Sequence, residues 1–177
     1  TLHKNWVLTD NEITSLAAGT HTYSITDANG DEEIVTVTVL AIPSVTSSSA
    51  TLITSNSATL NGDVTSDGNS TITERGFVYS LTSTDSSPTV AESSGSDVTK
   101  VVVSGTTGSF NQAISSLMAN SGYSFASYAI NAVGTTEGAV QTFTTLNTAP
   151  TFTSTEVTSV DEGNTYTYTI TTNLLML

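Results

Sequence analysis

Apolar and polar residues alternate along most of this chain. In the run SATLNGDV, residues 57–64, Ala58, Leu60, Gly62 and Val64 share one side, and Tyr166, Tyr168 and Ile170 do the same near the end. A period of two is that of a half-buried β-strand. Gly, Asn, Asp and Ser clusters punctuate the runs as turns do. The spacing predicts strands over 50–53, 57–64, 73–80, 98–104, 108–115, 123–131 and 136–145, with 82–97 a long surface loop. One helical turn is expected where Thr9-Asp10-Asn11-Glu12 fits a capping box followed by Ile13 and Leu16. Short strands at this spacing indicate an all-β fold, an antiparallel sandwich or barrel rather than a helical protein.

The pattern repeats. SLAAGTHTYSITDANGDEEIVTVTV (15–39) and SLMANSGYSFASYAINAVGTTEGAVQTFT (116–144) each open on Ser-Leu, run into an alternating strand, break at a turn ending in Gly30 or Gly134, and resume alternation. Two further stretches each open on a proline, Pro43 or Pro150, and lead through a polar turn into a period-two strand. The segmentation predicts the closing strands of one module in 1–42, a whole module in 43–147 and the opening strands of a third in 148–177. Neither partial module can bury its apolar face alone. Two expectations follow: the chain is a piece of a longer repeat protein, or the opening strands of one copy complete the closing strands of the next, head to tail. The ending Asn173-Leu174-Leu175-Met176-Leu177 abandons the alternation and favours the first.

Composition narrows the function classes. The 177 residues carry a net charge of −13, with Lys4, Arg75 and Lys100 as the fixed cations. Binding of nucleic acid or of an anionic membrane surface needs clustered Lys and Arg, so neither is expected. Charged residues are only 11% of the chain, and Thr, Ser, Gly and Asn take their place, as suits the exposed faces of strands. No cysteine is present, which excludes disulfides, thiolate catalysis and Cys-bound zinc. No apolar run approaches the ~20 residues of a membrane helix, so no membrane insertion is expected. Thr1 opens directly into domain-like sequence, so an export signal is expected outside this sequence.

SATLNGDVTSDGNSTITERGFVYS (57–80), LMANSGYSFASYAINAVGT (117–135) and EGAVQTFTTL (137–146) resemble the B and C strands, the E–F corner with F strand and turn, and the closing G strand of bacterial fibronectin type III-like surface repeats, those of Bacteroidetes in particular. Leu117 and Tyr123 stand at the Leu and Tyr of that family's corner motif; Ala119 replaces its proline, and the core tryptophan is missing. VLTDNEITSLAAGTHTYSITDANGDEEIVTVTV (7–39) resembles the end of a bacterial Ig-like repeat, and NTAPTFTSTEVTSVDEGNTYTYTITT (147–172) the start of bacterial Ig-like and cadherin-like repeats. The resemblance implies immunoglobulin-like sandwiches in tandem, extracellular or on the cell surface, with neighbouring modules, other copies of the protein or surface polysaccharide as partners.

Candidate chemistry is sparse, and no catalytic, cofactor-binding or metal residue is assigned. No nucleophile elbow, zinc-binding helix or phosphate loop occurs. His3 and His21 are the two imidazoles, and His21 is expected to pack in a strand. Glu32 and Glu33 are adjacent in a strand and point to opposite faces. Asp27-x-Asn29-x-Asp31 places oxygens like the start of a calcium loop, but Glu32 and Thr38 stand where that loop needs Gly and Glu, so a hairpin turn is the reading. Asp161-Glu162 lies where cadherin-like repeats place an acidic calcium ligand, without the acidic linker that such sites share. Asn69-Ser70-Thr71 is a formal glycosylation sequon. Arg75, beside Glu74, is expected to pair across the sheet. Tyr123, Phe125 and Tyr128 are a candidate sugar-stacking platform, although alternation puts Tyr123 and Phe125 in the core with Tyr128 opposite. The predicted core is Leu60, Val64, Phe77, Tyr79, Phe110, Ile114, Leu117, Tyr123, Phe125 and Phe143. The leading function is a non-catalytic spacer or adhesive module; the alternative is an accessory module of a secreted polysaccharide-degrading enzyme.

Overall fold

A computed structural model describes residues 16–95, 97–149 and 162–163. The capping box at Thr9 and the strand of Tyr166 to Ile170 lie outside them. Ten strands follow in order: β1 (Gly19–Thr26), β2 (Glu32–Val39), β3 (Ser44–Thr51), β4 (Ser57–Ser66), β5 (Glu74–Leu81), β6 (Thr99–Val102), β7 (Gly108–Ser115), β8 (Gly122–Ile130), β9 (Thr135–Glu137) and β10 (Gln141–Thr144). They make three antiparallel sheets. β1 and β2 form a two-stranded hairpin; β3-β4-β7 form one layer of a sandwich; β10-β8-β5-β6, with β9 also on β8, form the other.

Seven strands fall within a few residues of the predicted spans. The exception is the first strand of the sandwich, expected over 50–53 and found at Ser44–Thr51. SVTSSSAT carries two apolar residues, and its pairing with β4 shifts register at both ends, so alternation is a weak signal there. β4 follows the period-two rule, with Ala58, Leu60, Gly62 and Val64 buried at alternate positions. Gly62 keeps that row thin: a Cβ there would stand 2.8 Å from the Ser127 Cβ and 3.1 Å from the Phe110 ring.

Between the layers lie the predicted core residues together with Val45, Ala58, Ile72 and Ala129, with Tyr79 half-buried at the rim. The Phe77 ring sits 4.8 Å from Phe110 and 6.3 Å from Phe125, and Tyr123 stacks on Phe143 at 5.5 Å. The Leu117–Tyr123 corner is formed: the Met118 backbone N–H donates to the Tyr123 hydroxyl at 2.9 Å. Thr145 donates to the Met118 carbonyl at 2.6 Å and accepts the Ser121 N–H at 3.0 Å, tying the end of the last strand to the same corner. Tyr123→Phe removes the acceptor and keeps the ring. It is expected to lower unfolding free energy by about 1–2 kcal/mol, seen as a reduced denaturant midpoint at constant slope.

The closing strand is split by a bulge. Glu137 pairs with Tyr128 and Gln141 with Phe125, so three residues oppose two. Gly138 N–H reaches the Ser127 carbonyl at 2.8 Å, while the Ser127 N–H donates to the Ser47 hydroxyl of β3 at 3.0 Å. A side chain from the other layer thus satisfies the amide that the bulge leaves over. Gly138 makes room for it, since a Cβ there would lie 2.5 Å from that hydroxyl.

Candidate functional site

The outer face of the larger sheet is covered. The stretch predicted as a long surface loop folds back over it through its described residues: Pro88 is fully buried, and Val90 packs on a second cluster of Val78, Val98, Ala126 and Tyr128. A 3-10 turn at Ala91–Ser94 shapes the strap, and the Val90 N–H donates to the Glu137 carboxylate at 2.6 Å. β8 is therefore buried on both faces. This overturns the sugar-stacking platform: Tyr123 and Phe125 lie in the main core, and Tyr128 is 0% exposed beneath the strap.

At the margin of the strap stands the main charged constellation of the sandwich. Tyr128 donates to Glu74 Oε1 at 2.8 Å, Lys100 Nζ lies 3.0 Å from the same oxygen, and Lys100 stands 5.7 Å from the Tyr128 ring centroid. The hydrogen bond from Lys100, then that from Tyr128, hold the Glu74 carboxyl below its ordinary range against the opposing effect of burial. Burial, then the Glu74 carboxylate, push the Tyr128 phenol well up. The signs are opposite. Glu74 contributes stability that is present above the ordinary carboxylate range and lost as pH falls through its lowered value. Tyr128 contributes stability that is present below about pH 10 and lost as pH rises from there toward its raised value. Carbon-detected NMR titration is expected to place the Glu74 midpoint below that of free Glu, and Lys100→Met is expected to move it upward.

Arg75, expected to pair across the sheet, serves backbone carbonyls instead. Its guanidinium turns the other way and donates to the carbonyls of Ser104 (2.9 Å), Thr106 (2.8 Å) and Gly108 (3.1 Å), with its carbon 4.6 Å from the Phe110 ring centroid. Adjacent strand residues point to opposite faces, which is why Lys100 takes Glu74 and Arg75 organises the 104–108 turn.

The other candidates disperse. Asp27 Oδ1 accepts the N–H groups of Asn29 and Asp31, each at 2.9 Å, and Gly30 has φ +86°, so the calcium-like spacing is here a hairpin turn. Glu32 meets the Ser24 hydroxyl, and Glu33 lies opposite Ile25 on the other face. His21 is half-buried, with Nε2 2.9 Å from the Ala17 carbonyl. Asn69, at φ +60°, turns its amide toward the Val39 carbonyl. His3 and Asp161 lie outside the described residues. Among the described residues no three His, Asp or Glu side chains converge as metal ligands.

Accessible surfaces among the described residues include a groove and the apolar side of the hairpin. A groove of about 350 Å³ at the β6–β7 side is lined by Tyr79, Thr84, Asp97, Thr99, Ser115 and Ser116. The hairpin carries another such surface. His21, Tyr23 and Ile25 of β1 share a face with Val35, Val37 and Val39 of β2, and Val35 and Val37 are 39% and 40% exposed. The strap's closure over Tyr128 had no signal in the sequence beyond Pro88 and Val90 in a polar stretch.

No protein-family model matches the chain, and no curated protein does. Among solved structures, the chain is similar to the sensor domain of the anti-sigma factor RsgI4 of Pseudobacteroides cellulosolvens. A shorter form matches at 17% identity over 62% of this chain and all of that one, TM-score 0.44. The solution structure matches at 18% over 72% of this chain and 92% of that one, TM-score 0.43. A crystal structure of titin domains matches at 19% over 66% of this chain, which spans 37% of it, TM-score 0.39. The antiparallel β-sandwich itself is read from the chain's own strand pairing.

Proposed function

We propose that this chain is a non-catalytic structural or adhesive stretch of a secreted or cell-surface bacterial repeat protein, with 43–147 a whole fibronectin type III-like module between parts of two Ig-like ones. The observation that carries the reading is the contrast between a closed sandwich and a hairpin whose apolar face keeps Tyr23 and Ile25 half-buried and Val35 and Val37 exposed. A sheet of that composition is stable when a second layer covers it. Strands of a neighbouring module supply that layer, and where they come from another copy the contact is head-to-tail and propagates as a filament. The absence of cysteine, the low charge and the Thr-rich strand faces support an exported array.

The groove beside Tyr79 supports a second reading, an accessory sugar-binding module of a secreted polysaccharide-degrading enzyme. It offers a half-buried aromatic ring with hydroxyls around it. Labelling of intact cells of the source organism with an antibody to the sandwich separates export from its opposite: surface or culture-medium signal is expected, and signal confined to lysed cells would contradict both readings. Chemical-shift titration with neutral oligosaccharides separates the two, because the structural module shows no saturable shifts at Tyr79, Thr84 or Thr99.

A further inference from the structure

The segment that joins hairpin to sandwich, 40–43, is gripped rather than merely tethered. Its Ala41 N–H donates to the Gly68 carbonyl at 2.8 Å, and its Ala41 carbonyl accepts from Asn131 Nδ2 at 2.7 Å. The same Nδ2 donates to the Asp67 carbonyl at 2.8 Å, while Asn131 Oδ1 accepts the N–H groups of Val133 and Gly134 at 2.9 and 3.1 Å. Asn131 is 4% exposed, and these four bonds use both donors and both lone pairs of its amide. One buried side chain thus ties together the loop after β4, the loop after β8 and the incoming segment. Shape reinforces it. Gly68 has φ +67°, and a Cβ there would stand 2.2 Å from the Ala41 carbonyl oxygen; Pro43 is fully buried where the segment enters β3.

We infer that this end of the sandwich is a receptor for the extended segment arriving from a preceding hairpin, with Asn131 as its positioning residue, so that the joint is stiff rather than hinged. The receptor reads backbone: both of its hydrogen bonds to Ala41 go to main-chain atoms, so its partner is an extended strand with a small residue in the middle and proline at its end. Fully satisfied buried polar networks of this kind fix one geometry. The inference rests on these contacts alone and does not depend on the proposed function.

The test is amide hydrogen exchange by NMR on the whole chain, comparing the natural sequence with Asn131→Asp and Gly68→Ala. Aspartate keeps an acceptor for the Val133 and Gly134 amides and loses the donor that holds Ala41. The Ala41 amide is expected to be protected like the strand amides of the sandwich. In each variant its protection falls about ten- to a hundredfold, the factor that one or two buried hydrogen bonds supply. The Met118 amide, held at the Tyr123 corner, reports whether the sandwich itself still folds. Ala41 exchanging at open-chain rates in the natural sequence would overturn the inference. So would unchanged Ala41 protection in both variants while Met118 stays protected. A cytoplasmic location, which would sink the proposed function, leaves this amide unmoved.

Discussion

Phe77→Ala lowers the unfolding free energy of the sandwich by about 3–5 kcal/mol. Phe77 is 0% exposed and stands between Phe110 of the smaller layer and Phe125 of its own sheet, so its ring joins the two layers. Truncation removes the transfer free energy of the ring and leaves a cavity that strands paired on both sides of β5 close only in part. Thr142→Ala, on the exposed side of β10, serves as the control and is expected within about 0.5 kcal/mol of the natural sequence. Urea unfolding followed by tyrosine fluorescence reads both. A Phe77→Ala loss under about 1 kcal/mol would mean that the layers do not meet at this ring.

Arg75→Met is expected to cost about 2–3 kcal/mol, the second largest effect. Arg75 is 8% exposed, and its guanidinium serves backbone carbonyls of 104–108. Methionine fills part of the volume and leaves those oxygens to find water. Arg75→Lys is expected to recover less than half of the loss, because an ammonium is a point charge and cannot span carbonyls that the planar fork reaches at once. A double-mutant cycle with Glu74→Gln is the sharper check. The two side chains serve different partners, so the cycle should be additive within about 0.5 kcal/mol. A coupling above about 1 kcal/mol would mean that the two side chains share partners after all.

That contrast shows what the sequence made legible and where it stopped. Alternation placed Leu60, Val64, Phe77, Phe125 and Phe143 in one core, because a strand's pleat converts period two directly into a face. The Leu117–Tyr123 corner was readable because it is local, a hydroxyl returning to an amide five residues upstream. What could not be read depended on long-range closure. Tyr128 faces away from the main core, and only the return of the 82–97 strap makes that side an interior. The Glu74–Lys100 pair joins residues 26 apart that become neighbours when β5 and β6 pair. The grip on Ala41 joins it to Asn131, 90 residues away, and no local pattern encodes it.

The hairpin remains the centre of the proposed function, in which a neighbouring module covers its face of Tyr23, Ile25, Val35 and Val37. Sedimentation velocity of the purified chain over a wide concentration range, with Val37→Asp beside it, tests this most directly. A charge in the middle of an apolar contact blocks its burial. The account predicts elongated species that grow with concentration in the natural sequence and a monomer in the variant. A natural chain that stays monomeric at every concentration, with Val37→Asp sedimenting identically, would contradict it.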